Sequence, residues 1–394
     1  MGALQVEAAS WMTEDLKVFE GEARKFLERE CVPHSEKWIK QQHVDRATWT
    51  KAGRAGLLCA STPEEYGGAG GTFAHEAVLI DLLGKLGIDG WGIVLHNAIV
   101  APYIFHCGTD EQRKRWLPRL ASGELVAAIA MTEPGTGSDL QSIKTTAKRD
   151  GNHYVINGSK TFITNGGTAN FVIVVAKTDP SQGSKGTSLV VVETDEVQGF
   201  RRGRVLEKIG QKANDTAELF FDDVRVPTAN LIGLDEGRGF VHLMQQLPQE
   251  RLIIALQAMA VIERALETTI SYVKERKAFG KQLIEFQNTQ FKLAECKTEA
   301  TVAKVFCNHA TGLLLEGKLD PFMASMAKLW LTEVQCRVVD ECLQLHGGYG
   351  YMNEYPIARM YAESLVTPRA SIASGVGASR NSATVAWLTL LSVA

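Results

Sequence analysis

One glutamate, two loops of small residues and one basic turn carry most of the chemistry this sequence offers. Glu250 follows Pro248-Gln249 and opens the run Arg251-Leu252-Ile253-Ile254. A carboxylate in a first helical turn ordinarily complements the helix dipole. The sharper reading makes it a general base, held by a rigid helix at the edge of a cavity. Residues Met131-Thr132-Glu133-Pro134-Gly135-Thr136-Gly137-Ser138-Asp139 form a loop of small, polar and conformationally permissive residues. Such a loop brings backbone N–H groups and hydroxyls close to a flat polar ring or a phosphate, and it is also the composition of a plain turn. In Glu275-Arg276-Lys277-Ala278-Phe279-Gly280-Lys281, Gly280 reads as a helix cap, and Arg276 serves either the last carbonyls or a phosphate. Gln344-Leu345-His346-Gly347-Gly348-Tyr349-Gly350 is a second glycine-rich helix exit, compatible with a structural turn and with a diphosphate-binding loop.

Other chemistries lack their residues. Gly135-Thr136-Gly137 begins like a dinucleotide fingerprint, but Leu140 stands at its third glycine and no βαβ unit surrounds it. There is no Walker A motif and no H-E-x-x-H, and the nine histidines form no ligand cluster. The seven cysteines are scattered with no C-x-x-C pair, which favours reduced thiols over a disulfide or zinc framework. Lys and Arg number 42 against 45 Asp and Glu, a net charge of −3, so nucleic acid is disfavoured as a ligand. No apolar run reaches the roughly 18 residues of a membrane span, and no signal peptide is expected at the acidic-and-apolar N-terminus.

The elements that must position these residues fall into three regions, an α+β chain in the order α, β, α. Residues 1–125 read as a helical domain, with apolar spacing over Leu16–Cys31 and Phe73–Leu86 and a shorter helix from Asp110 to Leu117, capped by Thr109 or Asp110. Residues 126–232 change period. Short β-branched or aromatic runs at Tyr154–Ile156, Phe171–Ala176, Ser188–Val192 and Leu219–Phe221 are punctuated by Asn152, Asn157-Gly158, Asn165-Gly166-Gly167 and Asp179-Pro180. This predicts a compact β domain, since no helical crossovers fit between the runs. Residues 233–394 return to long amphipathic helices over Leu252–Arg276, Phe286–Leu315 and Met323–Leu345, which suggests a four-helix bundle.

Together these segments resemble the acyl-CoA dehydrogenase family over about residues 12–361. The strongest parts are Ala130–Asp139, Asn157–Asn165, Glu275–Lys281, and Gln344–Tyr351 with Glu354-Tyr355-Pro356; Leu247-Pro248-Gln249-Glu250-Arg251-Leu252 looks most like the long-chain branch. The resemblance implies an FAD enzyme of the fatty-acid β-oxidation type. It would convert medium- to long-chain acyl-CoA thioesters to trans-2-enoyl-CoA and pass electrons to an electron-transfer flavoprotein, as a homotetramer. It also implies that Glu250 is the catalytic base, because the family's other base position corresponds to Ser371. Met131, Thr132, Gly137 and Ser138 would line the flavin, with Phe162 and Thr164 on its other side. Arg276, Phe279, Gln287, Gln344 and Gly348 match positions that hold the FAD diphosphate and adenosine across a subunit interface. Arg251 and Ser138 would contact the CoA portion, and the Ser371 backbone N–H would help polarise the thioester carbonyl.

The match weakens after Tyr361 and ends near Pro368, where Arg369-Ala370-Ser371-Ile372-Ala373 replaces the family's glycine-threonine turn, through divergence or a shift of reading frame. Two alternatives stand beside the dehydrogenase: an oxygen-using acyl-CoA oxidase or flavin monooxygenase on the same fold, and an acyl-CoA-binding protein without catalysis. The expected compartment is the bacterial cytoplasm, alternatively the mitochondrial matrix after processing.

Overall fold

The computed structural model describes residue 4 and residues 6–88 and 90–366. The expected contact of Ser371 and the altered turn around it lie outside the described residues.

The first helices form where the apolar spacing predicts them. Helix α1 (Glu14–Glu30) is capped by the Thr13 side chain and buries Leu16, Ala23, Phe26 and Leu27. The short α2 (Ser35–Gln41) and α3 (Arg46–Arg54) bring Trp38 and Trp49 into the core. Thr72 and His75 close a reciprocal cap on α4 (Phe73–Leu86). Then α5 (Ile93–Leu95), a π turn (His96–Val100) and α6 (Ala101–Cys107) follow without a break. Thr109, not Asp110, caps α7 (Asp110–Ala121), its hydroxyl accepting the Gln112 N–H.

Seven strands make the middle sheet: β1 (Ala127–Ala130), β2 (Thr146–Asp150), β3 (His153–Ile163), β4 (Phe171–Lys177), β5 (Thr187–Glu193), β6 (Phe200–Val205) and β7 (Ala217–Pro227). Pairing is antiparallel except where β4 meets β1 and, at its far end, β2 through Thr146 and Lys177. Both faces of β4 and β5 are buried, which is why these strands read as unbroken apolar runs. Phe171, Ile173, Val175, Leu189 and Val191 join the core of the helices; Val172, Val174, Val190 and Val192 join a second core with β3 and β7.

Two local readings need correction. Asn157-Gly158 is not a turn but a bulge inside β3, where the register with β7 slips. A Cβ on Gly158 would lie 2.8 Å from the Thr145 Cα, so the close approach requires glycine. Gly280 is not a helix cap either. It sits with Phe279 at the tip of a hairpin, β8 (Lys277–Ala278) and β9 (Lys281–Gln282), and both have positive φ, 53° and 81°. Two positive φ values are the mark of the tight turn that suits strand twist.

The C-terminal bundle consists of α8 (Gly239–Glu275), α9 (Gln287–Leu315), α10 (Pro321–Leu345) and α11 (Pro356–Ser364). Helix α8 is its axis, packed on α9, α10, α11 and also on α4.

Sheet and N-terminal helices are joined by a buried carboxylate. Glu193, ending β5, accepts from Arg115 Nη2 at 2.5 Å, Arg119 Nη1 at 2.6 Å and Trp116 Nε1 at 3.0 Å, all on α7. Replacing Glu193 with alanine strips three donors of their acceptor while the arginines keep part of their hydration. The expected loss is ~2–3 kcal/mol of unfolding free energy, read from denaturant melts. A melt superimposable on that of the parent protein would show the joint to be energetically idle.

Candidate active site

Helix α8 does not begin near residue 250. It runs from Gly239 and carries Pro248 in its interior, so Glu250 lies mid-helix, far from the first-turn amides that attract a carboxylate. The dipole reading of Glu250 is thereby removed. Its side chain is sealed in, 1% exposed. The Tyr103 hydroxyl on α6 donates to Glu250 Oε1 at 2.7 Å, while Oε2 has no partner among the described residues. Burial pushes the carboxyl pKa up to about 7 against the opposing pull of the Tyr103 hydrogen bond and the Arg251 charge. The neighbouring Gln249 donates to the Ala98 carbonyl in the π turn at 2.8 Å and ties α8 to the N-terminal helices at this point. Arg251 is half-buried and faces Lys328 of α10.

The loop 131–139 is built on a second buried carboxylate. Lys160 Nζ donates to the Met131 carbonyl and to Glu133 Oε1, both at 2.9 Å. Glu133 also accepts the backbone N–H groups of Lys144 at 2.7 Å and Thr145 at 2.9 Å. Burial draws the Lys160 pKa down to about 8, with Glu133 opposing. Burial also acts against the charge of Glu133, but Lys160 and its hydrogen bonds hold it below the usual carboxylate range. The Thr161 N–H donates to the Thr132 carbonyl at 2.9 Å and sets β3 beside the loop.

That contact brings the end of β3, with Phe162 and the following Thr164, alongside Thr132, which Met131 precedes. Phe162 has φ 59° and its side chain is 68% exposed, an unusual place for a bulky apolar group. Ser138 is half-buried and Gly137 lies at the exposed end of the loop. A Cβ at Gly135 or Gly137 would touch nothing within 4 Å, so no protein atom fills the space beside them.

A third cluster forms where α8 ends. Arg276, Asn288, Thr289, Gln344, Gly348 and Tyr349 line a groove of ≈ 640 Å³. The Arg276 guanidinium lies 5.4 Å from the centre of the Tyr349 ring. Gln287 starts α9 beside this groove without lining it, and Phe279 stands apart at the hairpin tip, 95% exposed. At ~1.5 Å per residue, α8 puts roughly 40 Å between Glu250 and Arg276. The structure therefore unites Arg276, Gln344 and Gly348 with one another, but not with Glu250 in the same chain.

Sequence reasoning passed over Tyr103 and the Glu133–Lys160 pair. Tyr103 is one aromatic in an apolar helix, and only the folded contact with a residue 147 positions away gives it meaning. Lys160, the one Lys, Arg, Asp or Glu in its strand, was the available hint of a buried ion pair.

Comparison with known proteins covers almost the whole chain. Models of the acyl-CoA dehydrogenase N-terminal, middle and C-terminal domains match residues 13–124, 128–224 and 237–375. The mitochondrial long-chain specific acyl-CoA dehydrogenase of Sus scrofa is 47% identical over 353 residues, 89% of this chain and 82% of that protein. The crystal structure of acyl-CoA dehydrogenase from Geobacillus kaustophilus is also 47% identical, with a TM-score of 0.92 over 97% of this chain and 100% of that one. A glutaryl-CoA dehydrogenase from Mycobacterium smegmatis, solved in complex with FADH2, has a TM-score of 0.86 at 27% identity, covering 96% of this chain and 95% of that one. With all three domains matched in order and a sealed carboxylate inside its longest helix, this chain belongs to the acyl-CoA dehydrogenase family.

Proposed function

We propose that this chain removes the α- and β-hydrogens of medium- to long-chain acyl-CoA thioesters to give trans-2-enoyl-CoA, using FAD and passing the electrons to an electron-transfer flavoprotein. Glu250 carries the reading. A thioester α-proton is a weak acid, and its removal calls for a carboxylate kept from water, with proton affinity near the working pH. Glu250 offers that: a sealed side chain, a pKa raised to about 7 and one oxygen with no protein partner. Oε2 takes the α-proton while Oε1 stays in its hydrogen bond to Tyr103.

The residues present fit a flavin. The exposed Phe162 supplies apolar surface, Met131 is buried where the loop begins, Thr132, Ser138 and Thr164 supply hydroxyls, and open space lies beside Gly135 and Gly137. FAD bound there supplies the oxidant that accepts the β-hydrogen with its electron pair. The buried Glu133–Lys160 pair holds the loop in register for it. Arg276, Gln344 and Gly348 form a groove with the cation and glycine-rich backbone that a diphosphate requires. Because α8 separates them by roughly 40 Å from Glu250, they serve the cofactor of a neighbouring copy, with Phe279 and Gln287 on the same side. This supports a homotetramer in which each cofactor spans two chains. Arg251 and Ser138 contact the CoA portion. The preference for longer chains rests on the likeness to a long-chain relative.

Four outcomes test this reading. Glu250→Gln should lower kcat by about 10²–10⁴-fold while acyl-CoA still binds; full turnover in that variant would assign the base elsewhere. Only the ionised carboxylate accepts a proton, so kcat/KM should rise with pH through an apparent value of about 7 and level off above it. In an anaerobic absorbance titration with acyl-CoAs of increasing length, the flavin band should bleach most strongly with medium to long chains. A band that no acyl-CoA bleaches would exclude this substrate class. Lys160→Met, which leaves Glu133 buried without its cation, should cost ~3 kcal/mol of stability and lower FAD occupancy of the purified protein.

A further inference from the structure

We propose that Tyr103 is the positioning residue of the base: its hydroxyl holds Glu250 by Oε1, so that Oε2 alone is presented to the substrate proton, and its hydrogen bond favours the ionised carboxylate. The proposal rests on the reading of Glu250 as the base.

A carboxylate has two equivalent oxygens and a soft terminal torsion, so an untethered glutamate presents either oxygen in a range of orientations. Here the two are made unequal. Oε1 accepts the Tyr103 hydroxyl at 2.7 Å and Oε2 accepts nothing from the described residues. The tether is rigid on both sides. The Tyr103 ring is fully buried in α6, directly after Pro102, and Gln249 fastens α8 to the π turn that leads into α6. One hydrogen bond thus ties α8 to the π turn, and the other fixes one carboxylate oxygen.

The same contact sets the charge. Among the described residues, the groups that act on Glu250 are Tyr103 of α6 and Arg251 of its own helix. Cys107, a turn further along α6, faces Tyr103, and Lys328 of α10 faces Arg251. Burial holds the Cys107 thiol up at about 11, so it is neutral at working pH. Burial, reinforced by the Glu250 charge, lifts Tyr103 well above the ordinary tyrosine range, so its hydroxyl remains a donor throughout. A hydrogen bond to the ionised form favours that form, so its removal raises the proton affinity of Glu250 further.

The test is the pH dependence of kcat/KM in the holoenzyme of Tyr103→Phe, which keeps the ring and removes the donor. The acid limb should move up by about one unit, with kcat/KM at about pH 6 falling roughly tenfold and recovering at alkaline pH. Placing 3-fluorotyrosine at position 103, a stronger donor of nearly the same shape, should move the limb the opposite way, and it guards against a folding defect in the first variant. An infrared titration of the Glu250 carboxyl band, identified by its loss in Glu250→Gln, should shift in the same two directions without turnover. A limb that stays in place while activity falls equally at every pH would make Tyr103 a packing residue and overturn the proposal. If Glu250→Gln is inactive and neither Tyr103 change moves the limb, this proposal alone falls; if Glu250→Gln turns over, the base assignment falls with it.

Discussion

A carboxylate in an apolar interior is costly, and the helical packing of this protein is organised around one that is kept there. Moving an ionised group out of water without full compensation shifts its proton affinity upward until the neutral form competes. Glu250 is held at that balance, with burial on one side and a single phenolic hydrogen bond with a neighbouring guanidinium on the other. Keeping the balance requires that nothing around it yields. Leu247, Leu252, Ile253 and Ala255 on α8 are all buried in the core shared with α4, α6 and α10. Close packing resists both the entry of water and the rotation of the side chain.

Three of the buried carboxylates divide the work between them. Glu193 accepts from two arginines and an indole, and Glu133 from an ammonium and two backbone amides. Both are fully satisfied, and both are held ionised below the usual carboxylate range. They join sheet to helix and loop to strand, and they have no unpaired oxygen with which to react. Glu250 is provided for only in part, and the difference is chemical: the oxygen left unpaired is the one that can take a proton. A structural carboxylate and a reactive one are told apart here by counting donors, since all three are buried.

How much of this the residues reveal depends on whether the cause is local. Helical spacing located α1, α4, α9 and α10, and β-branched density located β3, β4, β5 and β7, because those patterns arise within one element. Strands β1, β2 and β6 escaped. Ala-Ala-Ile-Ala lacks β-branched density, while Thr-Ala-Lys-Arg-Asp and Phe-Arg-Arg-Gly-Arg-Val are largely polar. The sequence places Glu250 in a first helical turn, whereas packing along the whole length of α8 carries the helix through Pro248, although proline removes a helical N–H. The turn at Phe279-Gly280 was read as a cap because only its partner strand, Lys281-Gln282, distinguishes a hairpin from a helix end. The segments of the candidate site were visible as segments. The partnership of Tyr103 with Glu250, and the gap between Glu250 and Arg276, belong to the fold alone.

That gap gives the proposed assembly a thermodynamic consequence. One chain holds the loop 131–139 and the exposed Phe162 near its sheet, and presents Arg276, Gln344 and Gly348 at the far end of a rigid helix. A ligand that needs both sets is bound by two chains, and each binding event then favours the assembled state over the free protomers by mass action. Cofactor and assembly become linked equilibria, and loss of either weakens the other. The same linkage accounts for the exposed Phe279. An aromatic ring at the tip of a tight hairpin that meets Phe286 edge-on and is otherwise exposed adds little to the folding of its own chain, whereas against a partner it would bury the area that makes an aromatic anchor effective. The features least explained by the single chain are therefore the ones that a second copy would complete.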